Sequence, residues 1–191
     1  ALLAKAVGNP VRVQWSRADE HGWDPKGPPT LADLQASTDA AGNVTAWDSV
    51  FYIPQAGPEL NVGLVAADLA GMPTAKVSFP GNIFQRAAIP YKFPNVKTVC
   101  RRLETTPLRP SWIRTPGRMQ NTYANECFFD ELAAAAGADP LDFRLKYLDP
   151  ADKRGIEVLN RVAELAQWVN SPSPHKAVRG DVVMGSGILH P

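Results

Sequence analysis

The sequence has few of the residues that build metal centres and disulfide scaffolds. Its 191 residues include two cysteines and three histidines. Cys100 and Cys127 are too few for a disulfide scaffold or a four-sulfur metal site, and the histidines lack the spacing of an HExxH motif or a ligand pair. The sequence therefore argues against a zinc or iron centre held by this chain.

Several motifs and charge biases are also missing. The chain has no P-loop, no GxGxxG after a predicted strand, no GxSxG elbow and no CxxC. The 20 Lys and Arg residues nearly balance the 19 Asp and Glu residues, and the formal net charge is +1. Hydrolase, nucleotide-binding and thiol redox functions therefore find no support, and no strong field exists to attract nucleic acid.

The two ends of the sequence lack the features of natural termini. The first residues include neither an initiator methionine nor the basic, apolar and cleavage regions of a signal peptide, and no apolar run approaches the roughly 18 residues of a membrane span. Residues 182–189 predict a strand that stops before a partner could follow. We therefore expect both ends to lie inside a longer chain.

The overall composition is that of a folded domain with long loops. Hydrophobic residues make up 45% and charged residues 20%, beside 18 prolines and 14 glycines. Alternating residues predict strands over 11–15 and 96–103, and a hairpin with its turn at Gly42 and Asn43. Residues 18–29 and the proline-rich stretch 54–94 are expected to be irregular.

Three helices are predicted after residue 120. Apolar residues with helical spacing predict one over 121–136, with Ala124, Phe128, Leu132 and Ala135 on its buried side. Asp139 followed by Pro140 marks the start of a second helix, and residues 153–168 predict the third. Because strands precede helices, the sequence indicates an α+β fold.

A proline-rich loop with three arginines enters the first of these helices. Arg109, Arg114 and Arg118 could hold a phosphate or an oxyanion there, because unpaired N–H groups and the positive end of the helix dipole attract anions. Trp112 could line such a pocket. The alternative is that the arginines are solvated or pair with carboxylates of the helix, and the local sequence leaves both open; those carboxylates are Glu126, Asp130 and Glu131.

Other titratable side chains give weaker indications of function. Glu126 and Asp130 lie four residues apart on one helix face and could do acid-base work, but this spacing more often marks a salt bridge, and we expect Glu126 to anchor the arginine loop. His21 is expected to be structural or exposed. Both cysteines are expected to behave as small hydrophobic residues, since no histidine lies near them.

Taken in order, these segments resemble a known family. The chain is similar to the molybdopterin-binding large subunit of xanthine dehydrogenases and aldehyde oxidases, in the bacterial branch with isoquinoline 1-oxidoreductase, nicotinate dehydrogenase and cytochrome-linked aldehyde dehydrogenases. The similarity extends over nearly the whole chain. Its motifs lie at residues 10–15, 19–22, 94–96, 113–126, 130–133 and 139–144.

The resemblance implies a cofactor-binding loop. In the family, the segment that matches residues 112–120 lies over the molybdenum centre, where its amides and its arginine support the metal's ligands and the pterin. Pro116 stands where xanthine oxidases have an aromatic residue, and Arg118 replaces their second glycine, which puts purine substrates in doubt. The implied cofactor-binding residues are Trp112, Ile113, Arg114, Gly117 and Gln120.

The resemblance also implies what surrounds the chain. Residues 1–170 would belong to the first molybdenum-cofactor-binding domain, and residues 171–191 would form a linker and the first strand of the next domain. A glycine-rich loop would precede Ala1, and the general-base glutamate would follow Pro191, so this piece alone would supply no catalytic residue and no metal ligand. Aldehydes and N-heterocycles are the implied substrates.

Cofactors and partners follow from the same resemblance. The cofactor would be molybdopterin, with a cytosine dinucleotide form open, and 2Fe-2S clusters and a haem c would lie on partner subunits. The partners would be the remainder of the large subunit, a 2Fe-2S small subunit and a cytochrome c subunit, at the periplasmic face or inner membrane. The alternative is a non-catalytic remnant or assembly module of such a complex.

Overall fold

The fold joins a small mixed sheet to three consecutive helices, which confirms the predicted α+β class. The computed structural model describes residues 1–23, 27–54, 71, 84–103, 114–174, 177–179 and 181–190. No helix in these ranges is long and apolar enough to cross a membrane. The elements described there are α1 (Leu2–Val7), α2 (Arg17–Trp23), β1 (Leu31–Thr38), β2 (Val44–Pro54), β3 (Asn95–Leu103), α3 (Arg118–Ala135), α4 (Pro140–Tyr147), α5 (Lys153–Leu165), β4 (Ala177–Arg179) and β5 (Val182–Met184).

The predicted hairpin is confirmed as β1 and β2. They pair antiparallel from Leu31 opposite Tyr52 onwards, and the turn holds Gly42 at a φ of 80°. The Asp39 carboxylate accepts hydrogen bonds from the backbone N–H groups of Ala41 and Asn43, at 2.9 and 2.8 Å, which closes the turn. Strand β3 then pairs parallel with the other edge of β2, giving the order β1-β2-β3.

The three predicted helices are also confirmed, and the N-cap predicted at Asp139 is present. The Asp139 side chain accepts hydrogen bonds from the N–H groups of Leu141 and Asp142, and Pro140 occupies the first turn of α4. Asp152 caps α5 by accepting from the N–H of Gly155. A first-turn proline and an N-cap aspartate act over a few residues, so they set the start of α4 locally.

Two predictions near the start of the chain are wrong. Residues 11–15 belong to no strand, and Val13 and Trp15 are exposed. Helix α2 occupies part of the stretch predicted to be irregular, because Ser16 and Asp19 form a reciprocal cap: the Ser16 N–H donates to the Asp19 carboxylate, and the Asp19 N–H donates to Ser16 Oγ. This hydrogen bonding to Ser16 also holds the pKa of Asp19 below its usual value.

The end of the chain folds back instead of extending as one strand. Strand β5 ends at Met184 and pairs antiparallel with β4, so the strand predicted over 182–189 is shorter and has a partner. Residues 185–190 then return to the helices, where Ile188 and His190 are buried. The division into domains at residue 170 stays a prediction.

A cluster of aromatic side chains packs in the core between the sheet and the helices. The Trp47 ring of β2 stacks on Phe93, and the Tyr91 ring stacks on Phe129 of α3 with centroids 4.1 Å apart. The Tyr147 hydroxyl of α4 accepts a hydrogen bond of 2.8 Å from the Val44 N–H. Burying each large ring contributes about 1.5–3 kcal/mol, so this cluster contributes substantially to the packing energy.

A fully buried arginine ties the helices together. Arg144 of α4 has no exposed surface, and its Nε donates to Glu126 Oε2 of α3 at 2.9 Å. Its Nη1 donates to Asp130 Oδ1 at 2.6 Å and to the Pro140 carbonyl at 3.1 Å. Because each donor has an acceptor, the cost of removing these charges from water is offset.

The Glu126 carboxylate also reaches beyond the helices. It accepts from the Tyr91 hydroxyl at 3.1 Å and from the His190 backbone N–H at 3.3 Å. Burial, and then the charge of Glu126, raise the pKa of Tyr91, so its hydroxyl stays protonated and donates. Burial opposes the charge on Arg144, but Tyr91, Asp130 and Glu126 outweigh it and raise the pKa of Arg144.

We predict that Arg144→Met destabilises the domain by about 3–5 kcal/mol, because it leaves the Glu126 carboxylate buried without a cation. Urea unfolding followed by circular dichroism measures the loss. Arg161→Met is the matched control, since Arg161 pairs with Glu164 at the surface and its loss costs at most about 1 kcal/mol. The double variant Arg144→Met with Glu126→Gln regains part of the stability, and equal effects of the two methionine variants would contradict the anchoring role.

We predict that Gly155→Ala also destabilises the domain, although alanine is the better helix former. A Cβ at residue 155 would lie 2.5 Å from His190 Nε2 and against the Asp152 carboxylate, so both side chains must move. Their movement disturbs the cap bond from the Gly155 N–H to Asp152 and the contact between Asp152 and His190. Thermal unfolding measures the effect. Gly22→Ala in α2 is the control, because nothing lies within 4 Å of its added Cβ, and that variant keeps or raises Tm. A Tm for Gly155→Ala at or above wild type would contradict the close packing of the Asp152 and His190 side chains against residue 155.

Candidate functional site

A cavity of about 1070 Å³ opens beside the first turns of α3. Arg86, Thr115 and Arg118 line one part of it. Residues 187–189, in the segment 185–190 that returns to the helices, line another part. Four arginines and two carboxylates contribute to its wall, which leaves two positive charges in excess. The cavity is therefore suited to an anionic group.

Two asparagines of α3 hold one wall of the cavity in place. Asn121 Nδ2 donates to the Gln85 carbonyl at 3.1 Å, and Asn125 Nδ2 donates to the carbonyls of Arg86 and Ala87 at 2.8 and 3.1 Å. The two asparagines are four residues apart and so lie on one face of the helix. Both are buried, which makes these bonds costly to break.

A side-chain bond links the same segment to the start of α3. Arg118 Nε donates to Gln85 Oε1 at 2.6 Å. The segment at residues 84–87 and the first turn of α3 are therefore one connected unit at the mouth of the cavity.

The backbone at the mouth adopts conformations that L-residues rarely take. Arg86 has a φ of 62° and Thr115 a φ of 60°, and Gly117, the N-cap of α3, has a φ of 74°. The only other non-glycine residue with positive φ in the described ranges is Gln167. Such conformations persist only where surrounding contacts enforce them, and they concentrate at functional sites.

The residues predicted to bind a cofactor lie around this mouth in different environments. Arg114 is exposed, Gly117 is buried and Gln120 is half-buried. Gln120 lines a neighbouring groove between α3 and β1, whereas Thr115 and Arg118 line the cavity itself. Trp112 and Ile113 lie outside the described residues.

Glu126 and Asp130, the two acidic residues singled out in the sequence, have a structural role. Glu126 does act as an internal anchor, but it binds Arg144, Tyr91 and the end of the chain and not the described part of the arginine loop. Asp130 accepts from the same arginine. With each carboxylate committed to Arg144, acid-base chemistry at this pair is not favoured.

The remaining reactive side chains are dispersed. Cys100 is half-buried on β3, and burial raises the pKa of its thiol. Cys127 is exposed on α3 and borders the cavity, and His21 is exposed on α2. Within the described ranges, no three His, Cys, Asp or Glu side chains are placed to hold a metal ion.

Sequence reasoning missed the residues that shape the cavity. Arg86 falls in a stretch that the sequence left irregular, and Arg144 reads as an ordinary polar position of an amphipathic helix. Asn121 and Asn125 carried a usable signal, because polar amides spaced four apart on a helix that must pack against other elements indicate hydrogen bonds to a backbone.

The comparisons with known proteins agree with the fold. A family described as "Molybdopterin cofactor-binding domain" matches residues 1–148. One chain of the nicotinate dehydrogenase of Pseudomonas putida is 37% identical over 99% of this chain and 15% of its own length. The β subunit of isoquinoline 1-oxidoreductase from Brevundimonas diminuta is 28% identical over 88% of this chain and 20% of its own length.

A solved structure supports the same fold. The aldehyde oxidoreductase from Desulfovibrio gigas superposes with a TM-score of 0.57 at 21% identity, over 87% of this chain and 18% of that one. The chain thus spans a fifth or less of the length of these three relatives. Because the family match covers most of the residues, the chain belongs to the molybdopterin cofactor-binding domain family.

Proposed function

We propose that the chain is a segment of the large subunit of a molybdenum hydroxylase, where it helps to bind molybdopterin. The complete enzyme would oxidise an aldehyde or an N-heterocycle with oxygen derived from water. The observation that carries the proposal is the family match over residues 1–148, and the arginine-lined cavity at the start of α3 supports it. Nothing observed favours the alternative of a non-catalytic remnant.

The residues at the cavity fit a cofactor that carries phosphate. The excess of two positive charges attracts an anion, and Arg118 is held at the mouth by Gln85. Arg114, Gly117 and Gln120, together with Trp112 and Ile113, are the residues we assign to cofactor binding. The bound molybdenum cofactor would supply the redox chemistry.

The role of this chain would be to orient the cofactor and to shape its electrostatic surroundings. The left-handed backbone at Thr115 and Gly117 turns the loop sharply into α3, and the Arg118 N–H donates to the Thr115 carbonyl at 3.1 Å. A rigid turn of this kind keeps Arg114 and its neighbours from moving away when an anion binds, so less free energy is spent on ordering the site.

The general base of the reaction would come from another part of the subunit. Glu126 is buried and accepts hydrogen bonds from Arg144 and Tyr91, so it is not free to take a proton from a reacting group. We propose a glutamate beyond Pro191 for this role, as the resemblance implies.

The surroundings of the domain are part of the same proposal. Three relatives carry names that describe them as subunits, one of them as a molybdenum-binding subunit, which supports assembly with other chains. We propose the remainder of the large subunit, a 2Fe-2S subunit and a cytochrome c as partners, a cytosine dinucleotide form of the cofactor, and a periplasmic or inner-membrane location. The relatives' names support aldehydes and N-heterocycles as substrates.

We predict that Arg114→Ala in the complete enzyme lowers cofactor content or turnover about ten- to hundredfold, since a charge-assisted hydrogen bond is worth about 1.5–3 kcal/mol. Molybdenum analysis by plasma mass spectrometry and steady-state kinetics measure the two quantities. Stability should change by less than about 0.5 kcal/mol, because Arg114 is exposed.

Arg161→Ala is the control for this prediction, because it removes the same charge from the surface of α5. It should leave molybdenum content and turnover at wild-type values. Full molybdenum occupancy together with unchanged turnover in Arg114→Ala would remove Arg114 from the cofactor site.

A further inference from the structure

We propose that the groove between β1 and α3 binds an extended segment of the large subunit that lies outside residues 1–191. The segment adds a strand to the outer edge of β1, with apolar residues at alternate positions and lysine or arginine between them. This assignment rests on the proposed function, because it takes the chain as one part of a longer subunit. It goes beyond that function by naming a binding surface and the chemistry of the segment that it binds.

Strand β1 lies at an edge of the sheet. The described strands have the order β1-β2-β3, so β1 pairs with β2 on one side, and no strand in the described ranges pairs with its other side. Every second residue of such a strand directs its backbone N–H and C=O away from the sheet. With its eight residues, β1 therefore offers about four residues to which another strand can bond.

A groove of about 770 Å³ lies between this edge strand and α3. Its floor is half-buried and apolar, formed by Ala32 and Leu34 of β1 and by Ala124 and Phe128 of α3. These four side chains also pack against the buried clusters of the core, which fixes their positions. An apolar groove beside a free strand edge suits an extended peptide, because backbone hydrogen bonds and side-chain contacts form together.

Helix α3 sets the length of the segment. Its lining residues run from Met119 to Glu131, which is about 18 Å of helix. An extended strand rises about 3.3 Å per residue, so about five or six residues fill the groove. Met119 and Tyr123 on the rim are 54% and 72% exposed, and their apolar surface is available to the segment. Gln120 also lines the groove, so the segment ends near the cofactor site proposed above.

The charges at the groove are negative. Asp33 and Glu131 line it and are both exposed, and no lysine or arginine of the described ranges lines it. Neither carboxylate forms a hydrogen bond or a salt bridge with another described residue. The groove is therefore complementary to a segment with positive charge.

The alternation of β1 determines where that charge lies. Ala32 and Leu34 are half-buried towards α3 and Asp33 between them is exposed, so the Asp33 side chain is on the opposite face of the strand. An added strand that places apolar residues over Ala32 and Leu34 places its intervening residue beside Asp33. A lysine or arginine is favoured there, because opposite charges on neighbouring strands attract.

The occupant is best supplied by the same polypeptide. A second copy of this chain would bring another Asp33 and another Glu131 to a surface that already carries two unpaired carboxylates, and like charges across strands are destabilising. The chain spans 15% and 20% of the lengths of two relatives, so most of a subunit of that length lies outside it. A segment tethered in the same subunit also has a high effective concentration at the groove.

The first test measures hydrogen exchange of the β1 amides by mass spectrometry, at single-amide resolution, in the complete assembled enzyme. An added strand slows the amides that point away from β2 by about a hundredfold or more relative to a free edge. The β1 amides bonded to β2 are protected in either case and serve as the internal reference. Outward amides that exchange as fast as those of a free edge would overturn the proposal.

Charge reversal tests the chemistry of the segment. Asp33→Lys and Glu131→Lys each replace an attraction by a repulsion, so we expect the outward β1 amides to exchange about fivefold faster or more. Glu157→Lys is the matched control, because Glu157 is an exposed carboxylate on α5 without a described partner. Faster exchange in either β1 or α3 variant supports the proposal. Exchange equal to that of the control in both variants would overturn it.

Photo-cross-linking identifies the occupant. Gln35 is replaced by benzoylphenylalanine, because it is exposed on β1, on the same face as Asp33, and its side chain is not needed for binding. We expect the large subunit to keep its mass on a denaturing gel, and the linked peptide to lie outside residues 1–191 and to contain lysine or arginine. The absence of a cross-link, a peptide within residues 1–191, or the added mass of a second copy or another subunit would overturn the proposal.

Failure of the proposed function is a separate result. Complete wild-type enzyme without molybdenum or pterin would overturn the assignment to a molybdenum hydroxylase. Hydrogen exchange and cross-linking require no cofactor, so they decide the role of the groove in that protein as well. Enzyme with full molybdenum content but a free β1 edge would overturn this inference alone.

Discussion

The buried guanidinium of Arg144 is the interaction on which the rest of the structure depends. It accounts for the relative position of α3 and α4 through Glu126 and Asp130, and through Glu126 it also reaches the Tyr91 hydroxyl and the returning end at His190. A charge without exposed surface requires complete hydrogen bonding, which few arrangements of these segments provide. The cluster therefore acts less as a source of net stability than as a constraint on geometry.

Helix α3 connects the contacts of Arg144 in the core with the wall of the cavity. Its Phe129 packs in the aromatic core, its Glu126 binds Arg144, and its Asn121 and Asn125 hold the backbone of residues 84–87. One helix thus positions the aromatic core, the carboxylate that binds Arg144 and the cavity wall relative to one another. Since the strained backbone at Arg86 is enforced from this helix, the geometry of the cavity mouth depends on the packing of elements that never touch a ligand.

Sequence patterns anticipated the elements whose causes are local. The hairpin follows from alternation around Gly42, and α4 follows from Asp139 and Pro140, because turn and cap preferences act over a few residues. Residues 11–15 were wrongly expected to form a strand, since alternation alone does not provide a hydrogen-bonding partner. The apolar stripe expected on α3 included Ala135, which is exposed, because asparagines occupy much of the buried face instead.

The sequence by itself determined the α+β class, the three helices, the β1–β2 hairpin and the resemblance to molybdopterin-binding subunits, because these depend on short-range spacing or on motifs in order. Only the tertiary structure decided that Arg144 binds both Glu126 and Asp130, and that Arg86 and Arg118 line one cavity. Those pairings join residues 14 to 32 positions apart in the sequence. Their partners are selected by which charges the fold buries together, a property that no local pattern of residues encodes.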